Sequence, residues 1–450
     1  MSNGSADTGF SSEPVGSTTL PCPGGPADLI VHVGDEYGNA IEGADVDISG
    51  AESRSGKSDA TGNATFSGVA PGGYQVSASK AGFVKGASAA SVPPSATTSA
   101  NVELVRPAVT ITELGFSDDF DLTTWDATSA SAGPKITDPV WKTGGVLNNP
   151  ACYKMDSNNM KLWPRVSISP TPVGSATLSL KAISSAPALE FRIDGTAGGT
   201  EKLFENMPLL SGNLEKKVQT TMLSLKWSYS WEGDPWKTAG STGPHKIYQV
   251  YDTPIESPLF DFALDRSCWY AAGDNDVDKI ADKVSKGISG DLIYDPGDAP
   301  DTHVLGYYPH GKCLCMNNAA LMAYLCRSLG IPATMIYIWG GATGTEYTTF
   351  KQVRAADPTM FWRPTFMVVA PKNDLAEENP HFTYHVVTEV NGKTYDPSYG
   401  TIGLISLAET APGASRQTKS ASVVGGKPGG WPPFSTKVNS PWVCPHKIGL

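Results

Sequence analysis

The strongest constraint on the fold is an alternation of apolar and polar residues, which recurs in short segments through the first half of the chain. The clearest example is residues 223–231, where Leu, Leu, Trp, Tyr and Trp alternate with Ser, Lys, Ser and Ser. A period of two gives a strand one apolar face and one polar face. We predict that the apolar face is core; an aromatic platform that binds carbohydrate is the less common alternative.

Turn-forming residues divide these strands into two predicted domains. Residues 27–106 contain short alternating runs separated by Gly and Asp turns, which is typical of a small β-sandwich. Residues 107–240 show the same pattern and are predicted to form a second β-sandwich domain. Residues 1–26 are rich in Gly, Ser, Thr and Pro and are predicted to be a flexible tail. Residues 232–244 are predicted to be a linker for the same compositional reason.

The remaining residues, 241–450, change to a mixture of helix and strand and are predicted to form an α+β domain. Helices are predicted over residues 257–272, 277–288 and 315–329, followed by a strand over residues 334–339. The last helix has its apolar residues at helical spacing, and Gly330 is placed to end it. The predicted fold class is therefore multidomain, with two N-terminal β-sandwich domains before an α+β domain.

Charge and hydropathy exclude several classes of partner. The net charge of −11 argues against nucleic acid, since phosphate binding requires clustered Lys and Arg. No apolar run is long enough to predict a membrane span. The N-terminus lacks the basic and apolar parts of a secretory signal, so we expect a protein that stays in the cytoplasm or is exported by a leaderless route. The seven cysteines are too sparse for a disulfide framework.

Cys315 is the first candidate for chemistry, because it is predicted to open the helix over residues 315–329. A cysteine in the first turn meets the positive end of the helix dipole and free backbone N–H groups, which favour the thiolate form. A buried, inert cysteine is the more common alternative. A partner for the thiol is needed to decide between the two.

A predicted hairpin supplies that partner. Residues 384–390 and 393–396 are strand-like and are joined by Asn391-Gly392, the strongest short hairpin signal. With this two-residue loop Val390 faces Lys393, and His385 and Asp396 fall on one face as diagonal neighbours. Cys, His and Asp are the components of a thiol nucleophile, its base and the group that orients the base.

Metal and cofactor sites are not predicted. His381 and His385 are four residues apart, which would suit zinc on a helix, but the surrounding sequence favours a strand that separates them by roughly 13 Å. Cys313 and Cys315 have no obvious further ligands. The acidic residues nearest to a cluster are Asp274, Asp276 and Asp278; they lack the Gly and distal Glu of a calcium loop and are predicted to lie in a solvated turn before a helix.

The nucleophile segment resembles the transglutaminase-like superfamily. The resemblance rests on Gly-x-Cys leading into Ala-x-Leu and Arg-x-Leu-Gly-Ile-Pro-Ala, on the later His, and on Asp396-Pro-Ser398. It covers roughly residues 245–400 and implies a papain-like fold with Cys315 as nucleophile, His385 as base and Asp396 as orienter. In that family the nucleophile lies fifteen residues before the Gly of Leu-Gly-Ile-Pro, and Gly330 therefore selects Cys315 over Cys313.

Two features of this resemblance leave the oxyanion side open. Met316-Asn-Asn318 follows the cysteine where the family often has acidic or aromatic residues. The second oxyanion donor is not placed by the sequence; the candidates are Trp269, Tyr307 and Tyr308.

Residues 27–106 resemble carboxypeptidase regulatory-like domains, which usually serve as binding modules or as spacers between other domains. A tail with Pro21-Cys-Pro23 before a small sandwich also resembles the front ends of bacterial contact-delivered effectors.

The predicted function is hydrolysis of an amide bond through a thioester, by a peptidase, amidase or deamidase without a cofactor. The substrate would be a protein, a peptide or a cell-wall peptide. One alternative is transglutaminase-type transfer of the acyl group to another amine. The other is a non-catalytic binding protein, in which the β domains carry the function and the last domain is inactive. Oligomeric state is not predicted.

Overall fold

The computed structural model describes residues 25–117, 119–136, 140–145, 149–294, 304–339, 348–349, 353–354, 361–362, 381–382, 384–398, 401–403, 415–419 and 437–438. The chain forms two compact units. Unit 1 comprises Met1–Ala108, Ile168–Thr177 and Thr196–Glu201, and unit 2 comprises Val109–Ser167, Leu178–Gly195 and Lys202–Leu450. The predicted tail up to residue 24 and most of the last fifty residues lie outside the described residues.

The β-rich part of unit 1 is a sandwich of two sheets. Its strands are β1 Ala27–Asp35, β2 Asp45–Gly50, β3 Ser53–Lys57, β4 Asn63–Val69, β5 Gly72–Ser79, β6 Gly86–Val92 and β7 Thr97–Leu104. One sheet has the order β4-β1-β7 and the other β3-β2-β5-β6. Alternate residues of these strands fill one apolar core, which includes Leu29, Val31, Val46, Ile48 and Val76. The β-sandwich predicted from the alternation is confirmed here.

Two Asp–Gly turns connect strands of the two sheets, one after β1 and one before β4. Asp35 accepts the N–H groups of Tyr37 and Asn39 at 2.9 and 2.7 Å, and Gly38 follows with φ +82°. Asp59 caps the next turn in the same way, and Gly62 takes φ +83°. Asp side chains that bond their own backbone and Gly residues with positive φ are what such turns require.

Unit 2 begins with a large sheet. Its strands and the neighbouring ones are β8 Ala108–Ser117, β9 Leu122–Asp126, β10 Ser131–Ile136, β11 Val140–Lys142, β12 Ala151–Lys154, β13 Lys161–Ser169, β14 Ala176–Ser185, β15 Ala188–Ala197, β16 Glu201–Leu203, β17 Met207–Ser211, β18 Gln219–Trp231 and β19 Lys237–Val250. Ten of them form one sheet in the order β11-β8-β13-β17-β15-β14-β18-β19-β12, with β16 paired to β13. Strands therefore dominate the chain up to Val250, as the alternation predicts.

The aromatic face of β18 is core. Leu223 and Leu225 are fully buried, and Trp227 and Trp231 are each 1% exposed. The indole N–H of Trp227 donates to Thr242 Oγ1 at 3.0 Å, which satisfies its polar group inside the core. The alternative of a carbohydrate-binding platform on this face is therefore wrong.

The predicted linker over residues 232–244 is also wrong, because β19 occupies most of it. The pairing of β18 with β19 is interrupted at two places where the register shifts. Gly240 and Gly243 lie at these irregularities with φ +108° and +103°. Glycine supplies the conformations that β-bulges need, so here it marks bulges within a strand. The predicted boundary at residue 240 stays a prediction, and a single strand runs across it.

Helices appear only after this sheet in the described part of the chain. The remaining elements are β20 Leu259–Phe260, α1 Asp261–Tyr270, α2 Val277–Asp291, β21 Ile293–Tyr294, a 3-10 turn Val304–Gly306, α3 Tyr307–His310, β22 Lys312–Cys313, α4 Cys315–Ser328, β23 Ala333–Trp339, β24 Thr348–Thr349, β25 Val353–Arg354, β26 Phe361–Trp362, β27 His381–Phe382, β28 Tyr384–Val390, β29 Lys393–Asp396, β30 Thr401–Gly403, β31 Ser415–Lys419 and β32 Lys437–Val438. A six-stranded sheet has the order β30-β29-β28-β23-β31-β32. None of the helices described is long and apolar enough to cross a membrane.

α4 is the central helix of this part. Twelve of its residues are buried, and it shares one apolar core with α1, α2 and the strands on which it packs. The same core includes side chains from the preceding β region, among them Leu122, Cys152 and Tyr248. α1 begins four residues later than predicted, at Asp261, because Leu259 and Phe260 pair with β9 first.

The C-terminal end of α4 is held by the loop after β19. Gly330 takes φ +81°, and a Cβ there would lie 2.3 Å from the Asp252 carbonyl oxygen, so only glycine fits. Backbone N–H groups of Asp252 and Ile255 donate to the carbonyls of Leu329 and Arg327. The Arg327 guanidinium, 14% exposed, pairs with the carboxylate of Glu256, 1% exposed. Burial raises the pKa of Glu256.

Candidate active site

A sharp turn places Cys315 at the first position of α4. α3 ends at Gly311, whose φ of +75° reverses the chain. Lys312 and Cys313 then pair with β21 as a short parallel strand. Leu314, with extended φ and ψ, is the N-cap. The prediction that Cys315 opens a helix that ends before Gly330 is therefore confirmed.

The start of α4 has an unusual cap. Leucine has no side-chain acceptor, so Leu314 forms no capping hydrogen bond with the first-turn N–H groups. Within the described part of the chain, the capping contact runs the other way, from the Leu314 N–H to Asn317 Oδ1 at 3.2 Å. The N–H groups at the positive end of the helix are thus left for another acceptor.

The two neighbouring thiols, Cys313 and Cys315, differ in environment. Cys313 is fully buried, and burial, with a smaller contribution from Cys315, raises its pKa to about 12. Its thiol donates to Asn318 Oδ1 at 2.6 Å. Cys315 is 7% exposed. Burial also raises the pKa of Cys326 to about 12 and raises that of Cys268, so both are inert thiols.

The hairpin has the register that the Asn-Gly signal predicts. Val390 pairs with Lys393, and Asn391 and Gly392 take φ +52° and +73° in the two-residue loop. His385 pairs with Ile338 of β23 on the other side of β28. The His385 side chain lies outside the described residues, so its pairing with Asp396 stays a prediction. His381 also lies there, apart from its backbone in β27.

Asp396 is the last residue of β29 and is 1% exposed. Its Oδ1 accepts the backbone N–H of Ser398 at 3.1 Å. The Ser398 hydroxyl in turn accepts from Asn318 Nδ2 at 3.4 Å. The chain turns directly after Asp396, because Asp396 pairs with Thr401 of β30, and Ser398 lies in this turn. The end of β29 that carries Asp396 is therefore linked through Ser398 to the first turn of α4.

Both strands of the hairpin are also held against helices. Thr388 Oγ1 donates to the Ala319 carbonyl at 2.9 Å, one turn after Cys315. Lys393 and Tyr395 both bond Asp278 of α2. Alternation along β29 places Asp396 on the face opposite Tyr395. Asp396 is joined to α4 through Ser398, which bonds Asn318.

The three candidates for a second oxyanion donor differ in their surroundings. Trp269 is 62% exposed, and its ring lies against Tyr270 with centroids 5.2 Å apart. Tyr307 is 1% exposed. The Tyr270 hydroxyl donates to the Asp291 carboxylate at 2.6 Å, and the Tyr308 hydroxyl, 3.1 Å from that of Tyr270, donates to it. None of the three is placed beside Cys315 by a described contact, so the second donor stays open.

The acidic residues before α2 have structural partners. Asp276 is the N-cap of α2 and accepts the N–H groups of Asp278 and Lys279. Asp274 pairs with Lys283, and Asp278 pairs with Lys393. Among the residues that the structure describes, no group of three or more His, Cys, Asp or Glu side chains is arranged to hold a metal ion.

We expect iodoacetamide near neutral pH to alkylate Cys315 ahead of the other six cysteines. A thiol with a pKa near 12 is almost entirely protonated at pH 7, so Cys313 supplies almost no nucleophile. The measurement is limited labelling followed by mass mapping of the peptides. Cys315→Ser should remove the fast site and Cys313→Ser should keep it. Labelling of Cys313 with Cys315 untouched would contradict the assignment of the nucleophile.

Asn318 was missed by the sequence reasoning. In the sequence it belongs to Met316-Asn-Asn318, a departure from the transglutaminase-like pattern. In the structure it is 1% exposed and both ends of its amide are bonded. The signal that could have found it is a polar residue three positions after Cys315, on the side of the helix predicted to be buried.

Residues 29–105 match the family described as carboxypeptidase regulatory-like domain. This confirms the domain predicted for residues 27–106. The match covers the sandwich of unit 1 from β1 to β7 and does not include α4 or the hairpin. No curated protein matches the chain.

Solved structures similar to the chain are distant. The minor pilin of Streptococcus agalactiae is 14% identical, with 18% of this chain and 45% of that chain covered and a TM-score of 0.17. The chain thus spans about half the length of that pilin. A DUF3823 family protein from Parabacteroides merdae is 9% identical, with 50% and 98% covered and a TM-score of 0.17. The major pilin SpaD from Corynebacterium diphtheriae is 9% identical, with 50% and 66% covered and a TM-score of 0.20.

Proposed function

We propose that residues 241–450 are a transglutaminase-like, papain-like cysteine enzyme that hydrolyses an amide bond. Cys315 is the nucleophile, His385 is the base and Asp396 orients the base. The substrate is a protein, a peptide or a cell-wall peptide. No metal or cofactor takes part in this scheme. The carboxypeptidase regulatory-like domain would serve as a binding module or as a spacer.

One observation supports this proposal above the others. Cys315 opens a well-formed buried helix, and the strand end that carries Asp396 is joined to the first turn of that helix through Ser398 and Asn318. Cys315 and Asp396 are far apart in sequence, and a nucleophile and the group that orients its base need to be gathered in one place.

The reaction would proceed in two halves. The Cys315 thiolate attacks the amide carbonyl carbon, and the imidazolium of His385 gives its proton to the leaving amine as the C–N bond breaks. This leaves a thioester on Cys315. His385 then takes a proton from water, which attacks the thioester carbonyl; the C–S bond breaks, and release of the acid and the Cys315 thiolate restores the thiolate and imidazolium of the starting state. Asp396 would stabilise the imidazolium formed in the cycle.

The uncapped start of α4 suits the charge that develops during this reaction. The carbonyl oxygen becomes negative as the thiolate adds to it. First-turn N–H groups that no side chain of Leu314 occupies can donate to that oxygen. A good N-cap usually stabilises a helix by about 1 kcal/mol, so leucine at this position gives up stability. The loss is understandable if the N–H groups are kept for a substrate.

We expect hydrolysis or deamidation without calcium, and not calcium-dependent crosslinking. The acidic residues before α2 are held by Lys283, Lys393 and the helix start, so they are not gathered as a calcium site. The assay is incubation with a glutamine-containing peptide and a labelled primary amine, first with chelator and then with calcium, with product masses measured. A gain of about 1 Da at glutamine or cleavage of the peptide, with either addition, is the expected result.

Two controls make this assay decisive. Cys315→Ala should abolish the product, and Cys152→Ala, a fully buried thiol in β12, should not. Efficient incorporation of the amine only when calcium is present would move the protein to the crosslinking class. No product with any amide substrate, together with no selective alkylation of Cys315, would favour the alternative of a binding protein.

A further inference from the structure

We propose that Asn318 is a positioning residue that fixes the Asp396 end of the hairpin to the Cys315 end of α4. This inference rests on the proposed function and names a residue that the transglutaminase-like pattern does not supply. Asn318 acts through the groups that it holds.

Burial makes the bonds of Asn318 obligatory. Asn318 is 1% exposed, in the first turn of a helix, where an amide without hydrogen-bond partners would be strongly unfavourable. Its Oδ1 accepts the thiol of Cys313 at 2.6 Å and its Nδ2 donates to Ser398 at 3.4 Å. Cys313 is fully buried and Ser398 is 3% exposed, so water does not compete readily for either bond.

The orientation of the Asn318 amide is given by its two hydrogen bonds. Its oxygen faces Cys313, whose thiol donates, and its NH₂ group faces Ser398, whose hydroxyl accepts. Burial raises the pKa of the Cys313 thiol, which agrees with its role as a donor near neutral pH. Cys313 thus has a role that does not require it to react.

The bonds of Asn318 connect the segment before α4 with the turn after β29. Cys313 immediately precedes the N-cap of α4, and Asn318 lies three residues after Cys315 on the same helix. Ser398 is bonded to Asp396 through its N–H. The next residue of α4, Ala319, is bonded to Thr388 of the other hairpin strand. Misplacement of a catalytic group by 1 Å can cost about 100-fold in rate, so this connection matters for catalysis as well as folding.

The test is the pH profile of Cys315 alkylation by iodoacetamide in the full chain. A thiol held beside an imidazole reacts as a thiolate below neutral pH, whereas a misplaced one does not. Asn318→Leu, which keeps the approximate shape, and Ser398→Ala should each lower the rate at pH 6 about tenfold or more. Ser398→Thr, which keeps the hydroxyl, should restore most of it.

A matched control separates positioning from stability. Ser328 is a fully buried hydroxyl at the other end of α4 that donates to the Tyr324 carbonyl. Ser328→Ala should lower the unfolding free energy about as much as Ser398→Ala does, since each removes one buried hydroxyl, and it should leave the pH profile of Cys315 alkylation unchanged. If the unsubstituted chain shows selective Cys315 alkylation at pH 6 and both Asn318→Leu and Ser398→Ala retain it, the inference is wrong. If the unsubstituted chain shows none, the proposed function itself fails.

Discussion

Asp396→Asn is expected to keep the fold and to lower turnover by about 10³–10⁴-fold, the loss seen when the orienting carboxylate of a catalytic triad is made neutral. Asparagine has nearly the same shape, and its side-chain oxygen can still accept the N–H of Ser398. The anionic partner of the imidazolium is lost. The measurement is kcat and KM on the amide substrate identified by the assay above, with circular dichroism to verify the fold.

Asp265→Asn is the matched control for this substitution. Asp265 is a hydrogen-bonded carboxylate of α1 that accepts from Tyr248 and Lys246, and it has no part in the proposed site. Its substitution should change turnover less than about threefold. Turnover of Asp396→Asn within tenfold of the unsubstituted enzyme would show that Asp396 does not orient a base. So would an experimental structure with His385 and Asp396 on opposite faces of the hairpin.

Arg327→Met is expected to destabilise the protein by about 3–5 kcal/mol, because it leaves the buried Glu256 without its counter-charge. Removing the guanidinium raises the pKa of Glu256 further, and the carboxyl then binds a proton more readily in the folded state than in the unfolded one. Stability is therefore lost as pH rises from the normal pKa of a carboxyl group up to the raised pKa of Glu256 in the folded state, and the destabilisation should be smaller at pH 5 than at pH 8. Urea unfolding at the two pH values measures both effects.

Two comparisons show whether the buried charge is responsible. The double variant Arg327→Met with Glu256→Met should recover much of the loss, since neither charge is then buried alone. Lys286→Met removes one partner of an exposed pair with Asp282, four residues apart on α2, and should cost about 0.5 kcal/mol or less. If Arg327→Met and Lys286→Met lower the unfolding free energy by equal, small amounts, the buried Arg327–Glu256 pair stabilises the fold no more than the Lys286–Asp282 pair does.

The elements that the sequence predicted correctly are those specified by neighbouring residues. The buried face of β18 follows from strict alternation over residues 223–231. The hairpin register follows from Asn391 and Gly392, whose conformations leave one way to pair the strands. The length of α4 follows from apolar spacing and Gly330. Each signal lies within the element that it describes.

The errors arose where a local signal has two structural meanings. Gly240 and Gly243 predicted a linker, but the same conformational freedom serves a bulge when a partner strand is present. That partner, β18, cannot be inferred from the glycines. α1 was predicted to start too early, because the pairing of Leu259 with β9 involves residues more than 130 positions away.

The candidate site shows the same limit. Cys315, His385 and Asp396 could be proposed from the chemistry of their side chains. Asn318 was missed, because a buried position three residues after Cys315 does not reveal that Cys313 and Ser398 lie on either side of it. A polar residue gains a specific role when packing removes water from it, and packing depends on the whole fold.

The shared core around α4 determines how this chain can be divided. Leu122, Trp125, Cys152 and Val218 belong to the β region and contact the same core as the helices. A recombinant fragment that starts at residue 241 would therefore expose apolar surface on the helices that those side chains normally cover. Exchanging the helical region between proteins, or expressing it alone for screening, would have to include the strands whose side chains complete this core. The practical unit for engineering is thus these strands and the helices together.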